Sequence, residues 1–591
     1  MTKTPVKRQY ANLAGVDFKN DSSMVELNRS PDALNVYKDY SGEASCIQTR
    51  PGYKLMANFG AKINGMYIYQ TTALVHAGTN LYLWNNFPTT PQNPTVLKST
   101  MNNAKSSFFI FQDKVYINDG VNYLVYDGTL KDVSSVAFIP TTTIGRSPAG
   151  GGERYQDVNL LQSKRINEFV ADGTSTDYYL DATDIASVDE VYINDTLVTT
   201  GYTVTAILGK IVFDTAPAIE GMDNVKIVFT KNVSGYATRI TQCTISQVFD
   251  NRVFFTGNTT YPNVLFHSEL ENPSYVSDLS YYQDGTTESK IKSITVGNNI
   301  LWVFKEPNQE NATVFYHIPT TDEEYGRIYP TKQGNVSVGC YSTSINFSDD
   351  IVFLSKYGLE GINGDIQQEQ LLSHRSSLID NKLVNESNYN FSQMFEWRGY
   401  LLVLVNNMVY LADSRQIFQG INGIEYEWYV WDIENSSPSI LKEYAGELYI
   451  GGTDGKVYML DGTNDNGNAI NSYWTTPMDA FGYSNLLKTT NKRGGIARIK
   501  TVPNGKVKIA ERTNKNDLKY ITCKSSTGFN YGDVNYADFA YTTRNDSYVV
   551  YKIKEKKFLT IQLKFYSDEK DKPFGLYSAI LEAFIGGYAK R

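Results

Sequence analysis

The 591-residue chain is 41% hydrophobic, 13% aromatic and 20% charged, enough apolar material for several cored domains and too much for wholesale disorder. Its net charge of −8 argues against a general nucleic-acid binder. There is no uninterrupted apolar run of membrane-spanning length, and the charged start Met1–Tyr10 has no apolar stretch behind it, so neither a transmembrane helix nor a secretory signal peptide is expected. Cys46, Cys243, Cys340 and Cys523 are too sparse for a disulfide framework and too far apart for a CxxC motif, which fits folding in a reducing cytoplasm. With 44 Tyr and 28 Phe the composition favours pleated, half-buried surfaces, and 44 Gly with 18 Pro supply many turns.

Residues 1–60 read as an N-terminal arm packing on a platform at the other end of the chain. Residues 61–146 open a degenerate repeat. Its clearest copy is Ser107–Gly120 followed by Tyr123–Gly128: strand, polar turn at Gln112-Asp113, strand, Gly turn, strand. A weaker copy precedes it at Met66–Tyr69 and Leu74–Gly78. Further copies are Val248–Phe255, Ile294–Phe304, Ile345–Leu354, Met394–Leu404 and Leu441–Ile450, often with a third strand such as Leu81–Trp84, Val314–His317, Met408–Leu411 or Lys456–Leu460. The turns fall near 72, 112, 250, 298, 349, 398 and 445. Apart from one long gap their spacing is that of β-propeller blades, roughly 40 to 50 residues.

The long gap holds an insertion at 147–236. Ser147–Glu153 reads as a loop or linker. The stretches Asp177–Leu180, Val188–Asp195, Gly201–Val204, Lys210–Phe213 and Val225–Phe229 read as short strands of a small sandwich. Residues 237–470 hold the remaining blades. After the polar stretch Asp461–Asn468, residues 471–591 read as a C-terminal basic β domain, with alternation at Arg498–Val502, Lys506–Ile509, Tyr548–Tyr551, Phe558–Phe565 and Ser578–Glu582. No long helix is expected. The fold expected is all-β: a six- or seven-bladed β-propeller with an inserted small β-sandwich and a C-terminal β domain.

Charge separates these parts. From Tyr483 to Arg591 there are 21 Lys and Arg against 10 Asp and Glu, a net +11, while the remainder carries 34 against 53, a net −19. An acidic body and a basic terminal domain face different partners. Lys552, Lys554, Lys556 and Lys557 are the densest basic group. Lys552, Lys554 and Lys556 alternate, so one face of a strand presents all three as interface candidates. The competing reading is an edge strand guarded by lysine against aggregation.

Chemistry is sparse. His76, His267, His317 and His374 lack the spacing of a zinc pair, and the sequence holds neither a GxSxG elbow nor a phosphate loop. Gly150–Gly152 reads as flexible linker. The stretch Asp461–Gly467 superficially resembles a calcium loop but lacks the terminal bidentate Glu, and reads as a polar turn. The doublets Glu323-Glu324 and Asp349-Asp350 make poor catalytic pairs, because neighbours on a strand point to opposite faces; Asp349-Asp350 reads as a hairpin turn. No cofactor, metal or catalytic residue is expected.

Several segments in order resemble the tail-nozzle, or packaged-DNA stabilisation, proteins of short-tailed phages: Asn28–Val36 followed by Gln48–Tyr53 with its Arg-Pro-Gly-Tyr element, Ser355–Asp365, and the terminal pieces Tyr473–Gly482, Phe574–Ile580 and Gly586–Tyr588; between them Asp157–Leu161 through Arg165–Phe169 resembles a recurrent phage tail segment, and the unit Phe169–Phe229, through its Ala171–Tyr178 start, resembles a small module of phage tail and fibre proteins. That resemblance implies a non-enzymatic virion protein, made and assembled in the host cytoplasm. It implies a homo-hexameric ring below the portal and adaptor proteins, in contact with tail fibre or tip proteins and, during infection, the host envelope. Genomic DNA would pass through without sequence-specific contact; an acidic tube repels phosphate and lets DNA slide. The alternatives are a receptor-binding tail protein, which would expose aromatic platforms such as Trp428 and Trp431, and a propeller glycoside hydrolase, which would gather inward-facing acids.

Overall fold

The computed structural model describes residues 4–40, 44–89, 94–323, 326–334, 336–362, 372–420, 423–500, 502–503, 505–521, 527–528 and 546–588. The chain forms two compact units, one of residues 64–84 and 94–339, the other of residues 1–63, 85–93 and 340–591.

Among the described residues, seven four-stranded antiparallel sheets succeed one another along the chain, each a blade of the β-propeller type. Blades I to VII lie within 63–98, 107–132, 245–283, 291–333, 340–374, 393–432 and 438–460, the last completed by Tyr53–Asn58. The turn chemistry explains why these hairpins form. Between the first two strands of a blade, the central pairs Gln112-Asp113, Asp250-Asn251, Asn298-Asn299, Ser348-Asp349, Arg398-Gly399 and Ala445-Gly446 all have positive φ. That is the type I′ turn, whose twist matches the flanking strands. The turn in blade V is Ser348-Asp349; Asp350 already starts the next strand, which corrects the reading of Asp349-Asp350 as the turn itself. Second strands such as Val253–Phe255 and Leu401–Leu404 are buried throughout. A sheet covered on both faces selects a continuous apolar run there instead of alternation.

The inserted module has two sheets, one of six strands within 141–231 and one of three strands, Asp177–Tyr179, Tyr202–Thr205 and Lys210–Phe213. They close over a core of Phe169, Tyr178, Val191, Ile211, Phe213 and Phe229. The larger sheet begins with Thr141–Arg146, ahead of the expected boundary at 147. Ser147–Gly152 is not a linker but the turn of a hairpin from Thr141–Arg146 to Glu153–Arg154. The segment Asp157–Leu161 ties the module's entry into the blades of its own unit. Asn159, fully buried, donates its amide to the carbonyls of Phe138 and Ser274 (both 2.8 Å) and accepts from the amides of Leu161 and Val276. Leu160 and Leu161 pack in one cluster with Phe109, Val253 and Phe266.

In the other unit both ends of the chain build one platform. Val6–Ala11 runs antiparallel along Gly575–Tyr588, from Val6 opposite Ala583 to Ala11 opposite Ser578. The same long strand pairs with Cys46–Thr49, Leu486–Thr490 and Gly495–Lys500. A second, five-stranded sheet runs in the order Ala33–Leu34, Ser472–Thr475, Ile561–Ser567, Lys508–Thr513, Lys519–Ile521. Among the described residues the only α-helices are the four-residue turns Thr238–Thr241 and Asp380–Leu383.

Candidate docking surface of the C-terminal domain

The larger platform sheet has an open margin. Asp546–Tyr551 pairs with Gly495–Lys500, and Lys556–Phe558 pairs with Leu486–Thr490; among the described residues neither has a second strand neighbour. Period two governs the whole stretch. Val549, Tyr551, Ile553 and Glu555 are buried, while Tyr548, Val550, Lys552, Lys554 and Lys556 are exposed. The three lysines therefore alternate outward as their spacing implies, although Lys552 and Lys554 lie between strands and only Lys556 within one. Exposed Tyr548 and Val550 continue the same row, and composition alone did not single them out. The result is a sheet margin with an aromatic and aliphatic end and a basic end, able to meet a partner with backbone bonds, contact area and charge together.

Beneath this margin lies an electrostatic knot. Glu511 and Glu555 are both buried, and one ammonium, Lys519 Nζ, serves both, at 2.6 Å from Glu555 and 3.8 Å from Glu511. Burial, with the neighbouring Glu555 charge, pushes Glu511 up to about 7. Near neutral pH the Glu511 carboxyl is therefore partly protonated.

The Arg-Pro-Gly-Tyr element is a structural fastener. Arg50, 2% exposed, forks onto both oxygens of Asp465 (2.8 and 2.6 Å) and donates further to Asn35 Oδ1, Pro51 O and Asp432 O. The planar guanidinium suits this bidentate geometry. A Cβ on Gly52 would stand 2.0 Å from the Asn464 carbonyl, so only glycine fits that crossing. Tyr53, buried, then begins the strand that completes blade VII. The stretch Asp461–Gly467 is more than a polar turn: Asp465 holds Arg50, and Thr463 and Asn464 both donate to Asp571 (2.7 Å).

The remaining residues of chemical interest are committed to structure. His76, His267 and His317 are buried, and His317 binds Asp284 at 3.2 Å. His374 has Glu360 on one ring nitrogen (3.1 Å) and Asp380 on the other (2.6 Å). Burial opposes its charge, but the two carboxylates overcome that and push it up to about 10; as imidazolium it has no nitrogen left to accept a proton. Asp350 accepts from Arg375 Nε and the Tyr426 hydroxyl, both at 2.7 Å. Trp428 and Trp431 are buried and donate to the carbonyls of Arg375 and Val36, so they do not form the exposed platform an adhesion protein would use. Cys46, Cys243 and Cys340 are buried; Cys523 and Glu324 lie outside the described residues. Among the described residues no three His, Cys, Asp or Glu side chains gather in a metal-binding group.

No protein-family model matches the chain, and no curated protein matches it. Solved structures with likeness include BamB from Moraxella catarrhalis, at 10% identity and TM-score 0.31 over 73% of this chain and 97% of that one. YCF48 bound to D1 peptide gives 8% and 0.32 over 70% and 98%. BBS1N in complex with ARL6DN gives 10% and 0.25 over 79% and 99%. The seven sheets, not these likenesses, define the propeller.

Proposed function

We propose that the chain is a structural protein of a phage tail: a nozzle subunit that assembles into a homo-hexameric ring below the portal and adaptor, lines the DNA exit channel and helps retain the packaged genome. The observation that supports this most directly is the open platform margin, where Tyr548, Val550, Lys552, Lys554 and Lys556 stand exposed in one alternating row. A sheet edge with a row of cations suits an acidic adaptor ring or the acidic body of the next subunit, and repeated head-to-tail contacts of that kind close into rings. The segments that carry the resemblance to nozzle proteins also hold the platform together: Asn35 and Arg50 from the first part of the chain, Tyr473 and Phe574 from the last. Arg50 and Asn35 are joined at 2.9 Å, and Phe574 O accepts from the Thr49 amide at 2.9 Å.

Electron microscopy of the purified chain tests the reading; rings with a central hole are expected. Replacing Lys552, Lys554 and Lys556 together by Gln is expected to leave the fold intact and to weaken ring or tail assembly, with the parent protein losing assembly as salt rises. Assembly that is unchanged by the substitutions across a salt series would leave these lysines as edge guards only.

A further inference from the structure

The five-stranded platform sheet carries a second feature on its outer face, apart from the Tyr548–Lys556 row. On this face one cross-strand row is Lys564, Ala510 and Tyr520, and the next includes Tyr473, Tyr566 and Lys508. A cleft of about 430 Å3 opens on this face, lined by Asn471, Leu518, Tyr520, Lys564, Tyr566 and Asp568. That volume falls in the usual range of ligand clefts, roughly 300–1,000 Å3.

The two lysines of the face differ. Lys508 is neutralised, 2.5 Å from Asp568 and 2.7 Å from Glu569. Lys564 has no hydrogen-bond acceptor or ion-pair partner among the described residues; its ammonium rests 3.4 Å from the centre of the Tyr473 ring. The Tyr473 hydroxyl donates to Asp32 at 3.1 Å, which fixes that ring as a base for the cation. Burial lowers the Lys564 pKa, and Asp32 counters only in part. A half-buried ammonium without an anion is under-compensated, and a bound anion would relieve it. Opposite Lys564, Tyr520 is 71% exposed and stands edge-on to Tyr566 at 6.0 Å, so two aromatic surfaces meet at the rim. Aromatic faces suit the C–H face of a sugar ring, and the Asn471 amide at the wall suits its hydroxyls. A single uncompensated cation matches a carboxylate better than a dianionic phosphate.

We propose that this cleft binds an acidic saccharide, its ring against Tyr520 and Tyr566 and its carboxylate on Lys564. The inference stands on the cleft alone and is independent of the nozzle reading.

Titration of the full chain with trigalacturonate and with its neutral methyl ester, followed by calorimetry and tyrosine fluorescence, tests it. Saturable binding of the acid is expected, with the ester at least about tenfold weaker. Lys564→Gln is expected to weaken the acid at least about tenfold and leave the ester unchanged, and Tyr520→Ala to weaken both; Tyr520 is exposed, so that variant folds, and circular dichroism checks the other. Absence of saturation at ~10 mM acid, where even millimolar affinity would register, overturns the proposal. So does equal binding of acid and ester, or acid binding indifferent to both substitutions.

Discussion

Blade VI and the platform belong to one unit, yet they draw on sequence at different ranges. In blade VI, Gln393–Trp397, Tyr400–Val405, Met408–Gly420 and Gly423–Asp432 pair each with the next along the chain. In the platform, Val6–Ala11 pairs with Gly575–Tyr588. Blade VI is written in local turn chemistry; the platform is written in a few buried polar fasteners that only make sense once both ends of the chain are together. Removing a fastener should therefore damage the platform as much as removing a core aromatic damages a blade.

Arg50→Ala makes the strongest test on the platform side. It strands the buried Asp465 carboxylate and is expected to cost about 3–5 kcal/mol, read as a lower denaturant midpoint; Arg50→Lys should recover little, because an ammonium cannot reproduce the fork. On the blade side, Trp302→Ala removes a buried indole packed on Tyr316 at 5.4 Å and is expected to cost about 3–5 kcal/mol through the cavity it leaves. If Arg50→Ala melts like the parent protein, the platform does not depend on this fastener. A smaller loss, about 2–4 kcal/mol, is expected for Leu160→Ala, because this residue of the module's entry segment packs with blade residues. A deletion from Val158 to Val228 would remove Asn159, Leu160 and Leu161 with the module, and is expected to destabilise the neighbouring blades rather than leave them untouched.

The comparison also has a pH signature. The Glu511 carboxyl titrates near 7 in the folded chain and near 4.3 when unfolded. The folded state thus holds the extra proton between those values, so stability falls as pH rises through this window. Glu511→Gln is expected to flatten that slope and to raise stability at pH 8 relative to the parent, measured by denaturant midpoints across pH. The slightest effect on folding is expected for Lys552, Lys554 and Lys556 replaced together by Gln, within about 0.5 kcal/mol, since all three are exposed.

Most of the propeller was legible because its hairpins are local: Asp250-Asn251 and Asn298-Asn299 announce positive φ, and the apolar strands flank them. The alternation of Lys552, Lys554 and Lys556 was legible for the same reason. What the sequence hid was pairing at a distance. Tyr53–Asn58 carries no turn signal linking it to Lys456–Leu460, its partner in blade VII, and nothing near Asp465 says that its counter-ion is Arg50. The cleft was hidden too, since its walls come from Asn471, Tyr520 and Lys564, which only the fold brings together. Turn propensity misled where a neighbouring charge mattered more: Asp350 is spent on Arg375 and Tyr426 instead of on the turn.

The completion of blade VII has a consequence in time. Its outer strand, Tyr53–Asn58, leaves the ribosome long before Lys456–Leu460, the strand it must pair with. At about 5–20 residues per second of synthesis, the interval is on the order of 20–80 s. Until Lys456–Leu460 is made, the amides of this segment lack the ladder partner that the folded chain gives them. Lys54 and the exposed Leu55 lie within it, one guarding the edge and the other inviting a wrong partner. A strand made among the first thus waits for the last blade before its ladder bonds can form.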